Sequence, residues 1–457
     1  MNNRLGRIIL CSALFVTLGS YQTAAETLTE ALAKAYATNP QILSEQAGLR
    51  ATDERVPQAL SNWRPSVAVT GEAGWERNER EGSPSHETTH PKRIELRVVQ
   101  PLYRGGRTTA ETDRAEAQVQ AARARLHSVE QEVLLAAAQA YMNVLRNEAV
   151  VSLNRANEKR VARQLQATKD RFQVGEITRT DVAQAEARLA RAKADLIQAK
   201  GLLVNSRVTY RRVIGDPPVK LSRPKIKLTL PANLEEASIL GRQNNPDVLN
   251  ARHLASAAEH DIALVRGELL PSLRLVGSLS HGIETASSSS HRDRAEVLAE
   301  VTVPLYQQGE VYSRLRESRQ TLSQRKQELD DAERAAVEAA ASAWNVLQTA
   351  SAAVNSFQAE VRANKIALDG VQREALVGSR TVLDVLDAEQ EFLDASVNLV
   401  RAQRNQVVAR FALKSAVGSL RAENLKLQVD IYDAEKNYRR VRNRWFGGDV
   451  SGSAKTR

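Results

Sequence analysis

Residues 373–393 read REALVGSRTVLDVLDAEQEFL. Gly378, a helix breaker, stands beside Arg380 and ahead of two acids, Asp384 and Asp387, with long apolar-periodic runs on either side. This pattern predicts a tight turn joining two helices. An echo lies 203 residues upstream, where 172–189 reads FQVGEITRTDVAQAEARL. There Val174, Gly175, Thr178, Asp181 and Val182 fall under Val377, Gly378, Thr381, Asp384 and Val385. The chain is written twice around this turn.

The flanking runs predict unusually long helices. Residues 105–172 contain no proline and, after Gly106, no glycine. At 1.5 Å per residue such a run extends about 100 Å. Its partner, 182–214, stops at Gly215-Asp216-Pro217-Pro218. The second half repeats the scheme over 310–376 and 382–417, stopping at Gly418. Leu322, Leu329, Ala336, Ala343, Ala350 and Phe357 recur every seven residues, as do Ala340, Leu347, Val354, Val361 and Leu368, and then Leu386, Leu393, Val400 and Val407. Heptad spacing predicts coiled-coil packing, and the frequent alanines allow close approach.

Ahead of each long pair the period changes to two. Val67, Val69, Gly71, Ala73 and Trp75 alternate with polar or small residues after Pro65; Ile94, Leu96 and Val98 alternate with Glu95 and Arg97 before Pro101-Leu102-Tyr103. The second copy follows Pro271, with Leu273, Leu275, Leu279 and Ile283, then Val297, Ala299, Val301 and Val303, closing at Pro304-Leu305-Tyr306. Each half therefore predicts two strands of about ten residues, the length of a tilted membrane strand, with one apolar and one polar face. An amphipathic hairpin resting on a soluble helical core would read the same. Four strands cannot close a barrel, since the smallest known kind needs about eight. If these enter a membrane, several chains must share one barrel. Before the hairpins, 27–59 and 233–268 each predict a helix, a break at Asn39-Pro40 or Asn245-Pro246, and another helix.

Residues 1–25 carry Arg4 and Arg7, the apolar run 8–18 and small residues ending at Ala25, the order of a secretory signal peptide. The single cysteine, Cys11, lies inside it, after Leu10 where a lipoprotein signal would want a small residue. The mature fold is therefore expected to form without disulfides. Its positive charge, +10 before Arg4 and Arg7 are removed, is spread along the helices, and aromatic residues make up only 4%. Both argue against nucleic acid as a partner. No later stretch is apolar enough for a membrane-spanning helix, which leaves a β-barrel as the only route across a bilayer.

No catalytic, metal or cofactor constellation emerges, and the reading is of a non-enzyme. His86 and His90 flank a loop broken by Pro84 and Pro91. His291-Arg292-Asp293 lacks the downstream asparagine and glycine-rich loop of a kinase. Arg104-Gly105-Gly106-Arg107 reads as a strand-to-helix corner rather than a phosphate loop. Asp384 and Asp387, three apart, share a helical face one turn after Arg380. In a lone chain they favour the positive end of a helix dipole. Around a symmetry axis, three copies would set six carboxylates about one opening, and carboxylate rings select cations.

Residues 26–420 resemble the TolC family of outer-membrane efflux and secretion channels. The run 377–388, VGSRTVLDVLDA, is similar to the family's second-repeat turn, and Val174-Gly175 with Thr180-Asp181-Val182 to its first. The ending around Tyr438 and Arg444-Trp445-Phe446 resembles that of the α-proteobacterial branch. The resemblance implies an α+β membrane protein of two structural repeats: a long antiparallel coiled-coil helical barrel, and four β-strands per protomer in a trimeric twelve-stranded outer-membrane β-barrel. It divides the chain into signal peptide (1–25), repeat 1 (26–215, hairpin about 65–103, helix pair 105–214), an equatorial linker (216–232), repeat 2 (233–420, hairpin about 271–306, helix pair 309–417) and a C-terminal equatorial segment with a tail (421–457); within the proline-punctuated linker, residues 225–230 by themselves read as a short strand. It also implies a homotrimer in outer-membrane lipid that works with a periplasmic adaptor and an inner-membrane RND or ABC pump. The tunnel would close at its periplasmic tip: Arg380 linking to Thr180 and Asp181 of a neighbour, Asp384 and Asp387 forming an acidic ring, Gly175 and Gly378 making the turns. Ala375 replaces a tyrosine of the family's tip network, so that part of the latch is missing or supplied by Phe172 or Arg373. The expected cargo is drugs and toxic solutes. The rival expectations are a duct dedicated to type I protein secretion and a soluble periplasmic scaffold.

Overall fold

The structure, a computed structural model, describes residues 25–78, 87–224 and 228–450. The signal-peptide residues 1–24 and His86 lie outside them. Repeat 1 runs α1 (Leu28–Thr38), α2 (Pro40–Asp53), α3 (Arg55–Leu60), β1 (Ser66–Ala73), β2 (Glu76–Asn78), β3 (Glu87–Thr89), β4 (Lys92–Arg104), α4 (Arg107–Gln173) and α5 (Arg179–Ile214). Repeat 2 runs α6 (Leu234–Asn244), α7 (Pro246–Arg266), β5 (Ser272–Ile283), β6 (His291–Thr302), α8 (Glu310–Leu376) and α9 (Val382–Ala416), and α10 (Ala434–Val441) follows. The long helices α4 and α8 have 67 residues each, about 100 Å. Nothing interrupts them, because alanine and long charged side chains keep helix propensity high throughout.

The heptad seams sort into two kinds. Ala340, Leu347, Val354 and Leu368 of α8 are buried, the first two against Ala409 and Leu413 of α9, while Leu386 and Leu393 of α9 are buried too, Leu386 against Val161 and Leu165 of α4. Leu322, Leu329, Ala343 and Phe357 are only half-buried, on the flank of α8.

The Asn-Pro breaks turn out to be joints. Asn39 Oδ1 accepts from Gln41 N at 2.9 Å, capping α2, while its Nδ2 donates to the Val213 carbonyl at 3.0 Å near the end of α5. Asn245 repeats this, capping α7 through Asp247 N at 2.8 Å and reaching the Ala416 carbonyl at 3.4 Å at the end of α9. Each asparagine thus serves an orphan donor of one helix and an orphan acceptor of another, and proline at the first helical position loses no needed N–H. Two shorter helices become one stacked column beside α4 or α8. Replacing Asn39 or Asn245 with alanine is expected to cost about 1 kcal/mol each, read as a lowered midpoint in thermal or denaturant unfolding.

The main core lies at mid-height. Leu28, Leu32 and Tyr36 of α1, Leu134, Tyr141 and Val144 of α4, and Tyr210 and Ile214 of α5 pack with Leu420, Ala422 and Leu427. The C-terminal segment is therefore built into the body. The connector differs from expectation. Of 225–230, residues 225–227 lie outside the described set and 228–230 form no strand; the bridge is instead Glu26 to Leu221, in parallel. Pro224 and Pro231 bracket the expected strand, and proline has no N–H for a ladder. Residues 422–426 form a turn, 427–433 run irregularly, and α10 begins at Ala434.

The four long strands make one antiparallel sheet in the order β1-β4-β5-β6. Val69 stands opposite Leu96, Leu96 opposite Leu279, and Leu279 opposite Ala295. One face is thus apolar across all four strands. The other aligns Arg97 with Ser278 and Ser278 with Glu296, and carries the Arg274–Glu300 pair at 2.6 Å. The two hairpins join through β4 and β5 at the corner where repeat 1 turns from strand to helix. There Gly105, at φ +65°, lies so close to Gly267 that an added Cβ would stand 2.3 Å from the Gly267 carbonyl oxygen. Only glycine fits both demands.

Candidate functional site

At the far end from the sheet, the two predicted turns have nearly the same geometry. Gly175 and Gly378 adopt φ of +79° and +81°, the left-handed conformation that ends a helix at least cost with glycine. Glu176 N donates to the Arg171 carbonyl and Ser379 N to the Glu374 carbonyl, both at 3.0 Å. The next helix then starts on a capping box. Thr178 N donates to Asp181 Oδ2 at 2.9 Å and Asp181 N to Thr178 Oγ1 at 3.3 Å; Thr381 and Asp384 match them at 2.9 and 3.2 Å. These bonds, the backbone N–H of the threonine first, hold both carboxylates below the usual aspartate range. Both acids therefore stay charged to lower pH than an ordinary aspartate.

Within one protomer Arg380 reaches neither Thr180 nor Asp181. Its Nε donates to Glu374 Oε2 at 2.8 Å across its own turn, as Arg171 does to Glu176 at 2.9 Å in the first turn. Pairing with Glu374 raises the Arg380 pKa. Thr180 is exposed, Ala375 half-buried, and Phe172 and Arg373 exposed. Asp387 is exposed too, and is engaged by Arg188 Nη2 of α5. Its charge is thus shared across two helices of different repeats.

Above this pair lies a second contact that sequence reasoning missed. Glu389, 4% exposed, receives Arg160 Nε of α4 at 3.0 Å and Gln372 Nε2 of α8 at 3.3 Å. Three helices from two repeats meet on one carboxylate. Val161, Leu165, Ala185, Val382 and Leu386 pack around it as a small apolar cluster. The available signal was a charge at a core register: Glu389 lies three after Leu386 and four before Leu393, at a heptad d position. Arg188 gave no such signal, because the residue 203 later is Glu391 and the repeat is broken there.

Elsewhere, His291-Arg292-Asp293 opens β6, and Asp293 faces His281 across the sheet. Among the described residues no cluster of three or more His, Cys, Asp or Glu has metal-binding geometry, and no helix is long and apolar enough to cross a membrane.

Known proteins match this architecture. The family model for outer membrane efflux proteins covers residues 20–216 and 240–419. Outer membrane efflux protein BepC of Brucella suis biovar 1 (strain 1330) is 35% identical over 424 residues, 92% of each chain. Outer membrane protein TolC of Vibrio cholerae serotype O1 is 29% identical, over 90% of this chain and 96% of that one. In three dimensions the Campylobacter jejuni CmeC outer membrane channel superposes with a TM-score of 0.78 at 14% identity, over 96% of this chain and 98% of that one. With two matched turns, a four-stranded sheet and long helix pairs in the same order, the chain belongs to the outer membrane efflux protein family and is an outer-membrane channel, not an enzyme.

Proposed function

We propose that this protein is the exit duct of a tripartite efflux system: a homotrimer that carries drugs and toxic solutes out through the outer membrane, together with a periplasmic adaptor and an inner-membrane pump of the RND or ABC type. The observation that carries the assembly is the pair of open sheet edges. Strands β1 and β6 end the sheet order and run in opposite directions. The β6 edge of one protomer can therefore continue antiparallel onto β1 of the next, and closure leaves no unpaired ladder in lipid. The apolar face turns to lipid and the face bearing Arg97, Arg274, Glu296 and Glu300 to water.

The helices need the same neighbour. Along α5, Ile197, Val204 and Val208 are exposed, as are Val346 and Ile366 on α8. These residues lie on the two outer flanks of the helical layer, where adjacent protomers would pack.

In the trimer the matched turns converge on the axis as a gate. Asp384 and Asp387 form its acidic ring, and Arg380 leaves Glu374 for Thr180 and Asp181 of a neighbour as the latch. Transport needs no chemistry from the chain. Its part is a water-filled path and a tip that opens when partner helices dock beside the turns by coiled-coil packing. Deleting the gene should sharply raise sensitivity to drugs and bile salts, with complementation restoring tolerance. Unchanged tolerance with lost exoprotein export would replace multidrug efflux by dedicated protein secretion.

A further inference from the structure

The C-terminal segment does not end at the equator but climbs to the membrane end of the molecule. Asn437 Nδ2 of α10 donates to Asp53 Oδ2 of α2 at 2.7 Å. At the next residue, the Tyr438 hydroxyl donates to Glu116 of α4 at 2.6 Å under the Arg123 guanidinium, 5.2 Å from its ring, and one turn on Arg442 reaches the same glutamate at 3.2 Å. Beyond the helix, Arg64 Nη1 donates to the Arg444 carbonyl at 2.8 Å, and its guanidinium stacks 4.8 Å from the Trp445 ring. Arg64 immediately precedes Pro65 and the start of β1 at Ser66.

The level of that contact follows from the sheet. Strand β5 has 12 residues, which at about 3.3 Å each and a tilt near 45° span about 28 Å, the thickness of a bilayer's apolar band. The sheet thus spends its whole length in crossing, and its helix-side ends lie at the headgroups. Exposed Tyr103, opposite Leu273, marks the base of the apolar face, and Trp75 continues the phase of Val69 and Ala73 at the other end. Tyrosine and tryptophan favour these two interfaces.

At this level the chain makes a turn with its apolar side chains outermost. Arg444 Nε donates to the Phe446 carbonyl at 2.9 Å and Nη1 to the Asp449 carbonyl at 3.0 Å, while Gly447, at φ +97°, reverses the backbone. Trp445 is 58% and Phe446 86% exposed. Nearest to them are the guanidinium groups of Arg64, Arg442 and Arg444; the earlier cations of α10 lie deeper, where Arg439 pairs with Glu435 and Glu435 meets Arg123 at 3.5 Å.

We propose that the Trp445-Phe446 turn, backed by Arg64, Arg442 and Arg444, is a second membrane contact, seated in the periplasm-facing leaflet by anionic phospholipid. Aromatic side chains enter the interface while arginine and lysine meet the phosphates. The proposal rests on the reading that the sheet crosses the bilayer.

The test uses full-chain trimer in vesicles of phosphatidylethanolamine and phosphatidylglycerol, in two single-tryptophan forms. One retains Trp445 and the other Trp75, with the remaining tryptophans changed to phenylalanine. With a quencher at the fifth acyl carbon, Trp445 should lose about half its emission, as an interfacial residue does. Omitting phosphatidylglycerol should weaken that loss and leave the Trp75 loss unchanged. Quenching of Trp75 with Trp445 untouched overturns the proposal and points to a protein partner for the turn. Failure of both to respond removes the membrane-crossing sheet and the proposal with it. Should the tryptophan replacements impair folding, Phe446→Cys carrying a nitroxide answers the same question, because the only native cysteine is Cys11. Greater exposure to oxygen than to a water-soluble nickel chelate is expected, and the reverse overturns it.

Discussion

Channels carrying Asp384→Ala and Asp387→Ala together are expected to lose block by multivalent cations in planar bilayers. Three protomers contribute six carboxylates, and removing them should raise the blocking concentration at least about 100-fold, or ~2.7 kcal/mol of cation binding. The two acids should not contribute alike. Asp387 already meets Arg188 within its own protomer, so Asp387→Ala alone should weaken block less than Asp384→Ala. The Asp384 pKa is lowered by the Thr381 N–H, so its charge, and with it the block, should survive acidification through the ordinary aspartate range and fade only as pH falls through the lowered value. The same sign holds for stability: the capping box contributes fully above the unfolded-state pKa and is lost as pH falls through the folded one. Arg380→Ser tests the latch separately, since it should raise conductance without removing the ring. Block retained in the double variant would sink the acidic-ring assignment.

Arg160→Ala is expected to loosen the tip from within. Glu389 has a side chain only 6% exposed beside an Arg160 that is 25% exposed, and deleting the cation leaves a carboxylate with Gln372 as its remaining side-chain partner. Breaking a buried pair from one side costs about 3 kcal/mol or more. The loss should appear in denaturant unfolding and, because the residue joins α4 to α9 just above the turns, as more frequent full openings. The double variant Arg160→Ala with Glu389→Leu should recover most of the stability, since leucine at this heptad position continues Leu386 and Leu393 without a charge to desolvate. An Arg160→Ala protein that unfolds like the native one would show the pair to be mere surface decoration.

These two predictions draw on different kinds of information. Asp384 was legible in the sequence as part of a local signal, a glycine stop followed by a threonine-aspartate capping box, printed twice, whereas Asp387 has no counterpart in the first turn, where Gln184 stands. The helix ends at Leu376 and Ile214 were legible for the same reason, as were the strand faces, since a strand's alternation fixes which residues share a side whatever it pairs with. Asn39 and Asn245 were read as breaks, and their caps could be inferred, but the second hydrogen bond of each goes to a carbonyl 174 or 171 residues away. Nothing within reach along the chain encodes it.

The sequence by itself determined the repeat, the two periods and their boundaries, and hence the need for several chains to close one barrel, because these follow from backbone geometry and the burial of one face. Only the tertiary structure decided which charges neutralise each other at the tip and where the C-terminal segment goes. Arg188 with Asp387, Arg160 with Glu389 and Arg64 with Trp445 are each one partner among many that solvent-exposed sequence would allow. Such pairs depend on which helices pack side by side and at what height, and that is set by the whole fold rather than by any stretch of it.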